Sequence, residues 1–341
     1  MSAPFRLAVV GCGEIARYVA FLARLNRRIR LVACCGRTQA DAGRFAARFR
    51  IPRAYADYEA MLERESLDAV YLAVPHDLHF DMVRAAVEVG LPVLVEKPIT
   101  RTLEEGQQIV RLAQEAQVKV GVNYQYRYDA GCYALAMAAR QGALGKLHYG
   151  RCNVPWHREP DYFEQGPWRG QLARAGGGTL LIQGSHALDV LLWAMGSPPR
   201  VALGWTARRT FTQVGVEDLA LGVVELESGA LAQVTSSMIA TPEQAVTVEV
   251  YGEEGTARYA SHPFPHVRFL GKRRGPRVPH ARPPAWGLHA LQRSLEAFRA
   301  WVVEGRPYLT PAEEALPVLA AISAIYRSAR SGQKEPVSLS R

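Results

Sequence analysis

The sequence predicts an α/β fold, in which a doubly wound domain with a parallel sheet precedes an α+β domain with a large, mainly antiparallel, open sheet. In the first third of the chain, short apolar runs alternate with amphipathic stretches, which is the pattern of βαβ units. After residue 125, strand-like runs follow one another across short turns such as Ser228-Gly229. We therefore expect a first domain at 1–124 and a second at 125–341, whose last helix packs back on the first domain.

Apolar periodicity predicts the elements in chain order. In the first domain the predicted strands are 6–10, 30–35, 69–74, 92–95 and 118–122, and the predicted helices are 15–25, 39–49, 57–64, 78–89 and 103–116. In the second domain the predicted strands are 146–154, 200–210, 217–226, 230–238, 245–251, 255–260 and 266–270, and the predicted helices are 129–141, 184–195, 287–304 and 312–331. Ligands of a parallel sheet bind at the carboxyl ends of its strands, so we expect functional residues there.

Composition indicates a globular protein of the cytoplasm. The 341 residues suffice for two domains, and a hydrophobic content of 48% with 21% charged residues is typical of a soluble chain. No signal-peptide pattern precedes the first predicted strand and no apolar stretch reaches transmembrane length, so we expect no membrane partner. The five cysteines show no metal-ligand spacing and are expected to be small buried side chains in a reducing compartment, with no metal site.

The net charge of +9 raises the question of a nucleic-acid partner. The positive residues are spread along the chain, and only five of the 41 are lysines. The densest cluster is interrupted by prolines and predicts a loop; it consists of Arg268, Lys272, Arg273, Arg274, Arg277 and Arg282. No nucleic-acid-binding motif accompanies this cluster, so we expect no nucleic-acid partner and prefer a rim that attracts an anionic substrate or cofactor.

A glycine motif at the end of the first predicted strand indicates a dinucleotide site. The segment Gly11-Cys12-Gly13-Glu14-Ile15-Ala16 follows an apolar strand and opens a helix. Glycines let the main chain approach a pyrophosphate closely, and the helix N-terminus, here Glu14 and Ile15, offers unpaired N–H donors. Ala16 occupies the third small position, which this fingerprint allows.

The end of the second strand decides between the two nicotinamide cofactors. An NAD-binding unit carries Asp or Glu about 20 residues after the glycines, but no acidic residue lies between Glu14 and Asp41. The strand ends instead in Gly36-Arg37-Thr38, where a guanidinium and a hydroxyl suit a 2′-phosphate. The sequence therefore favours NADP(H), with NAD(H) as the alternative.

Two further segments carry residues suited to acid–base chemistry. Glu96-Lys97-Pro98 ends a strand at the mouth of the first sheet, where Lys97 can bond a substrate oxygen and Glu96 can orient it. In the second domain, glycines 176–178 precede a helix that carries Gln183, His186 and Asp189 at spacings of three, so the three side chains can share one face. Asp189 could then hold the imidazole of His186, a common proton acceptor at neutral pH.

These motifs together resemble the Gfo/Idh/MocA oxidoreductase family. The resemblance covers essentially the whole chain, including the closing Tyr326-Arg327-Ser328. It implies an N-terminal Rossmann domain, a C-terminal open-sheet domain, and hydride exchange between a nicotinamide and a sugar, cyclitol or related carbonyl compound.

The resemblance also assigns roles position by position. Lys97 matches the motif lysine that contacts the reacting oxygen, and His186 matches the catalytic histidine. Cofactor contacts are implied at Val74, Pro75, His76, His79, Glu96, Lys97, Asn123, Trp168 and Arg169.

One position departs from the family. Many of its sugar and cyclitol dehydrogenases carry Asp four residues before the histidine, where this chain has Ile182. Either His186 and Lys97 move the proton alone, or the substrate differs from those polyols. Two alternatives stay open: a cofactor-binding sensor or regulatory protein without turnover, and an enzyme that retains NAD(H) and processes glycosides.

A mixture of aromatic and polar residues suits a sugar, whose faces are apolar and whose rim is hydroxylated. The candidate substrate contacts are Lys97, Tyr124, Tyr126, Arg127, His157, Asp161, Tyr162, Gln183 and His186. Because the second sheet has few helices to cover it, we also expect a homodimer or homotetramer packed through its free face.

Overall fold

The computed structural model describes residues 3–262, 264–271 and 281–338. The described residues form two compact units. The first unit comprises Met1–Thr100, Glu104–Asn123 and Ala285–Glu314, and the second comprises Arg101–Leu103, Tyr124–Pro284 and Ala315–Arg341. Most of the predicted basic cluster, residues 272–280, lies outside the described residues, whereas Arg268 lies in a strand.

The strands of the described residues occur at or close to the predicted positions. They are β1 (Phe5–Val10), β2 (Ile29–Cys35), β3 (Arg53–Tyr55), β4 (Ala69–Leu72), β5 (Val93–Val95), β6 (Val120–Val122), β7 (Leu147–Pro155), β8 (Pro199–Ala207), β9 (Leu219–Leu226), β10 (Leu231–Ser237), β11 (Thr247–Gly252), β12 (Gly255–Ala260), β13 (His266–Gly271) and β14 (Glu335–Pro336). Two of these, β3 and β14, had no counterpart in the sequence prediction because they are too short to carry an apolar pattern.

The α-helices of the described residues also follow the predicted order, except that the two four-residue helices α7 and α8 were not predicted. They are α1 (Glu14–Leu25), α2 (Gln39–Phe49), α3 (Tyr58–Arg64), α4 (His79–Glu88), α5 (Leu103–Glu115), α6 (Ala130–Arg140), α7 (Asp161–Glu164), α8 (Leu172–Ala175), α9 (Ser185–Met195), α10 (Ala290–Glu304) and α11 (Leu316–Ser331). Capping residues fix several starts: the side chains of Thr38, Asp57 and Asp129 accept main-chain N–H groups at the beginnings of α2, α3 and α6. No helix in these described stretches is long and apolar enough to cross a membrane.

The first unit is a parallel α/β sheet, as predicted. Its strand order is β3-β2-β1-β4-β5-β6, and every neighbouring pair is parallel. This order is that of a Rossmann domain, in which the direction of winding reverses beside β1. Strands β4 and β5 are fully buried, as expected for a sheet with helices on both faces.

The division of the chain differs from the predicted one at its C-terminal end. Helix α10, and not the last helix, belongs with the first unit. Its Glu296 accepts a hydrogen bond from Asn26 at 2.6 Å, and its Ser294 donates one to Asn123 at 2.8 Å. The last helix, α11, instead packs against β8 of the second unit. Hydrogen bonds between residues far apart in the sequence therefore attach α10 to the rest of the first unit.

The second unit contains a mixed, mainly antiparallel sheet of eight strands. Its order is β13-β12-β11-β7-β10-β9-β8-β14, and within it β7 and β10 are parallel. Side chains alternate between a face buried by α6, α9 and α11 and a free face. On β9, for example, Ala220 and Val224 are buried, whereas Leu221 and Val223 are exposed.

Candidate functional site

The carboxyl edge of the parallel sheet gathers the predicted cofactor residues of the first unit. Gly11, Gly36 and Asn123 directly follow β1, β2 and β6, and Val74 and Lys97 lie two residues beyond β4 and β5. Because parallel strands end at one edge, five segments far apart in sequence converge there. This edge is the site that the winding of the sheet creates for a ligand.

Gly11 and Gly13, in the turn after β1, are glycines for different structural reasons. Gly11 has φ +97°, and a Cβ there would lie 2.1 Å from the carbonyl oxygen of Ala73. Gly13 precedes Glu14 at the start of α1, and a Cβ there would meet nothing within 4 Å. Gly11 is thus required by the protein itself, whereas Gly13 leaves an open cradle at a helix N-terminus. Such a cradle fits the pyrophosphate of a dinucleotide.

The segment after β2 presents a guanidinium, that of Arg37. Arg37 is exposed, but the hydroxyl of Thr38 is used locally, because it accepts the N–H of Asp41 at 3.1 Å and donates to that carboxylate at 2.8 Å. Asp41 in turn pairs with Arg44 at 2.5 Å. This carboxylate beside Thr38 was not predicted from the sequence. Arg37 is therefore the group of this segment that is best placed to bind a phosphate.

His79 lies underneath the strand-end loops. It is fully buried, with Nδ1 2.9 Å from the carbonyl oxygen of Pro98 and Nε2 3.1 Å from that of Val74. Burial lowers the pKa of this imidazole, and a neutral ring donates its one N–H to one of the two carbonyl groups. His76, also buried, has its ring 5.5 Å from that of His79. His79 therefore joins the loop after β4 to the loop that carries Lys97, and Pro75 lies in the first of these loops.

A buried polar network fixes Glu96 beside Lys97. Glu96 Oε1 accepts hydrogen bonds from the hydroxyl of Tyr71 and, at 2.8 Å, from the amide of Asn123. Ser294 of α10 donates to the amide oxygen of Asn123 at 2.8 Å. Burial raises the pKa of Tyr71 well above its usual value, so this phenol stays protonated and donates. Asn123 is thus part of the support of the Lys97 segment.

In the second unit, His186 lies at the start of α9 between two tyrosines. Its ring stacks on Tyr126, with centroids 4.7 Å apart and planes 16° apart, and meets Tyr124 edge-on at 6.0 Å. Only 8% of His186 is exposed. Burial raises the pKa of both phenols, so both tyrosines are neutral at physiological pH. This arrangement leaves the imidazole little freedom to rotate.

Asp189 and Arg127 form a buried ion pair. Arg127 Nε and a terminal nitrogen donate to the two carboxylate oxygens of Asp189 at 2.9 and 2.8 Å. The guanidinium also lies 5.1 Å from the ring centroid of Trp193. Arg127 was expected to contact substrate and Asp189 to hold His186. The structure pairs the two charges with each other, and Asp189 lies on the helix that carries His186.

Gln183 is the polar group of this helix that is best prepared for a ligand. Its amide nitrogen donates to the hydroxyl of Tyr162 at 3.0 Å, and only 3% of the residue is exposed. Its Oε1 is buried and has no hydrogen-bond donor among the described residues. A hydroxyl group of a substrate would satisfy this oxygen. The neighbouring Ile182 belongs to an apolar cluster that also contains Phe163 and Met238.

The remaining candidates of the second unit fall into two groups. The Arg169 guanidinium lies 4.5 Å from the ring centroid of Tyr162 and 5.8 Å from that of Trp168. His157 and Asp161 are engaged in local contacts: His157 with Glu159 and Thr241, each at 3.0 Å, and Asp161 with Gln165 at 2.7 Å. The structure thus brings Tyr162, Trp168, Arg169 and Gln183 together.

The five thiols are free, and Cys12 is the only one of them that is not fully buried. Burial raises the pKa of Cys12 and Cys35 to about 11 and that of Cys34 to about 12, so these thiols are protonated and unreactive at neutral pH. Within the parts of the chain that the structure describes, no cluster of three or more His, Cys, Asp or Glu residues could hold a metal ion.

Sequence reasoning did not identify Tyr71 and Ser294 in the first unit or Glu217 in the second. The first two support Glu96 and Asn123, and Glu217 contacts Gly178. Only for Glu217 did the sequence hold an indication, because three successive glycines suggest that another part of the chain passes close to them.

Comparison with known proteins places these features in a family. The family model described as an oxidoreductase family with an NAD-binding Rossmann fold matches residues 5–124, and the GFO/IDH/MocA C-terminal domain matches residues 132–258. D-xylose 1-dehydrogenase (NADP(+)) 2 of Haloferax volcanii is 31% identical over 88% of this chain and 90% of its own length. D-apiose dehydrogenase of Paraburkholderia graminis is 30% identical over 96% and 88%, respectively. The WlbA dehydrogenase from Bordetella pertussis, solved with NADH and UDP-GlcNAcA, superimposes with a TM-score of 0.87 at 26% identity, covering 99% of this chain and 100% of that one.

Proposed function

Since the chain belongs to the Gfo/Idh/MocA family of NAD(P)-dependent oxidoreductases, we propose that it oxidises a hydroxyl group of a sugar, cyclitol or sugar derivative, or reduces the corresponding carbonyl, with NADP(H) as the preferred cofactor. The observation that carries the proposal is the convergence of Gly11, Gly36, Val74, Lys97 and Asn123 at one sheet edge. The names of the xylose and apiose dehydrogenases among the relatives support a sugar as substrate.

The residues divide the work as follows. The nicotinamide, when bound, supplies a hydride acceptor at its C4. His186 accepts the proton of the reacting hydroxyl through its imidazole, and the stacked Tyr126 holds the ring. Lys97 stabilises the negative charge that develops on that oxygen. Gln183 Oε1 accepts a hydrogen bond from a second substrate hydroxyl. This role explains why Oε1 is buried and yet has no donor among the described residues. In the reductive direction His186 donates the proton to the carbonyl oxygen, and Lys97 stabilises the negative charge that develops on that oxygen.

The preference for NADP(H) rests on Arg37. Its exposed guanidinium can bind a 2′-phosphate, which an acidic residue at the end of β2 would repel. Arg44 compensates the charge of Asp41. Gly13 and the N-terminus of α1 bind the pyrophosphate, and Trp168 with Arg169 adds a stacked cation for the cofactor.

The free face of the second sheet supports self-association. Trp205 is 60% exposed on β8, beside the exposed Leu221 and Val223 of β9. Apolar side chains in this number on one face favour a partner surface, and a second copy of the chain supplies one of the same character. We expect a homodimer or homotetramer by light scattering at micromolar concentration, and Trp205→Glu should shift it towards the monomer. A monomeric unmutated protein would contradict this part of the proposal.

The catalytic roles are tested with Lys97→Ala and His186→Ala. A screen of aldoses, ketoses, cyclitols and sugar acids with both cofactors first identifies a substrate. Each variant should then lose about 10²–10⁴-fold in turnover while cofactor affinity stays nearly unchanged. Because both groups act on one oxygen, the double variant should lose less than the product of the single losses. The exposed Lys146→Ala and His148→Ala serve as matched controls. Full activity of His186→Ala would show that the proton leaves by another route.

A further inference from the structure

Two of the three glycines at 176–178 lie against residues of the second unit itself. A Cβ on Gly177 would lie 2.3 Å from the hydroxyl oxygen of Tyr326, and one on Gly178 would lie 2.0 Å from the main-chain oxygen of Glu217. Gly177 and Gly178 are therefore required because the chain passes close to Tyr326 and Glu217.

Glu217 satisfies the free N–H groups at the start of the helical segment that follows. Its carboxylate accepts the N–H of Gly178 at 2.7 Å and that of Leu180 at 3.0 Å, and its main-chain oxygen accepts the N–H of Thr179 at 3.0 Å. N–H groups at a helix start have no partner within the helix, and a negative charge there is favourable. The hydroxyl of Tyr326 donates to the same carboxylate at 2.8 Å.

This helical segment carries both polar residues assigned to the substrate. It begins with a π-helical stretch, Leu180–Gly184, and continues as α9 from Ser185. A π-helical turn contains about one residue more than an α-helical turn, so it rotates every side chain that follows. The directions of Gln183, inside the turn, and His186, just after it, therefore depend on how the first turn is held.

We propose that Glu217 and Tyr326 are positioning residues, which fix the first turn of this segment and thereby place Gln183 and His186 for the reaction. The inference rests on the proposed function. Burial raises the pKa of Glu217 above its usual value, and the hydrogen bonds from Leu180 and Tyr326 oppose that rise. Nothing else among the described residues accepts both the Gly178 and Leu180 N–H groups.

The first test measures the helix start directly. In Glu217→Gln, an amide group replaces the carboxylate, and its N–H₂ cannot accept the main-chain N–H groups. Hydrogen exchange at Gly178 and Leu180 should become at least about tenfold faster. The matched control is Asp218→Asn, since the neighbouring buried carboxylate also binds main-chain N–H groups, but those of residues 209–211. In this control we expect hydrogen exchange to become faster at residues 209–211 and to stay unchanged at residues 178–180.

The second test measures the consequence for the two side chains. Glu217→Gln should lower turnover about 10- to 100-fold, as expected for misplaced reacting groups, and leave the cofactor dissociation constant unchanged. Tyr326→Phe keeps the ring and removes one donor, so it should lose less turnover in the same direction. The imidazole resonance of His186, assigned with His186→Gln in histidine-labelled protein, should move in both variants and stay in place in Asp218→Asn.

The outcomes separate this inference from the proposed function. Unchanged exchange at Gly178 and Leu180, or a His186 resonance that does not move, overturns the positioning role whether or not a substrate has been found. Faster exchange with unchanged turnover on an identified substrate overturns it as well. If no substrate is found for the unmutated protein, the proposed function fails, and the exchange and resonance measurements still decide whether Glu217 and Tyr326 place His186.

Discussion

The carboxylate of Asp189 is held at both oxygens by the guanidinium of Arg127, at 2.9 and 2.8 Å, and both side chains are almost completely buried. Taking two charges out of water costs nearly as much free energy as their attraction returns. The pair therefore contributes little net stability as a whole, but each partner is essential to the other. It also fixes Tyr124–Tyr128 against α9, because Arg127 belongs to the first segment and Asp189 to the helix.

Breaking this pair on one side should be costly. Asp189→Asn leaves a buried guanidinium without its counter-charge, and we expect the free energy of unfolding to fall by about 3–5 kcal/mol. The double variant Arg127→Met, Asp189→Leu removes both charges and should recover more than half of that loss. Urea denaturation followed by circular dichroism measures both values. Single and double variants of equal stability would show that the pair is not energetically coupled.

The two glycines of the first turn should behave differently when replaced by alanine. Gly11→Ala places a Cβ 2.1 Å from a carbonyl oxygen at a φ of +97°, so it should lower the melting temperature strongly. Gly13→Ala meets no protein atom within 4 Å and should melt within a few degrees of the unmutated protein. It should nevertheless lose dinucleotide affinity, because its methyl group fills the cradle of the pyrophosphate. Calorimetric titration with NADPH checks this, and undiminished binding by Gly13→Ala would place the pyrophosphate elsewhere.

Arg37 should discriminate between the two cofactors. Arg37→Ala removes a charge-assisted contact to the 2′-phosphate, worth about 1.5–3 kcal/mol, so NADP(H) affinity should fall about 10- to 150-fold. NAD(H) affinity should change little. Arg48→Ala, near the C-terminal end of helix α2, is the control. Tighter binding of NAD(H) than of NADP(H) by the unmutated protein would refute the preference.

Glu296 should make the first unit sensitive to acid. Burial raises the pKa of this carboxyl, but hydrogen bonds from Arg299, Asn26 and Arg28 outweigh it and lower the pKa below the usual glutamate value. A carboxylate with a lowered pKa stabilises the fold above its unfolded pKa, about 4.3, and loses that contribution as the pH falls through the folded pKa.

We therefore expect the melting temperature to fall below about pH 5. Glu296→Gln should melt lower than the unmutated protein at pH 7, and its melting temperature should depend less on pH between 5 and 3. The exposed Glu115→Gln should follow the unmutated protein at every pH. Parallel curves for Glu296→Gln and the unmutated protein would contradict the assignment.

The sequence was sufficient wherever the signal was local. The helix predicted at 15–25 is found at Glu14–Leu25, and the strand predicted at 30–35 is found at Ile29–Cys35, because the apolar periodicity lies within the elements themselves. The three-residue strand β3 has no such pattern. The π-helical turn was missed because its apolar residues also fit an α-helix.

The positions of the candidate residues at the sheet edge were predictable to the same extent. Gly11 and Lys97 could be placed there because each stands at the end of an apolar run. Glu217 contacts Leu180 across 37 residues and Ser294 contacts Asn123 across 171, and nothing in a single sequence announces such pairs. Ile182 shows the opposite case: its departure from the family pattern was visible, but the apolar cluster that accommodates it depends on the fold.

The discontinuity of the first unit determines when that unit can form during synthesis. Asn26 cannot form its hydrogen bond until Glu296 has been added 270 residues later, and Asn123 cannot accept its hydrogen bond until Ser294 has been added. A nascent chain that ends after β6 holds every glycine and lysine of the nucleotide site but lacks the helix that buttresses it. The support that α10 gives to the first unit is thus completed only after residue 296 has been synthesised.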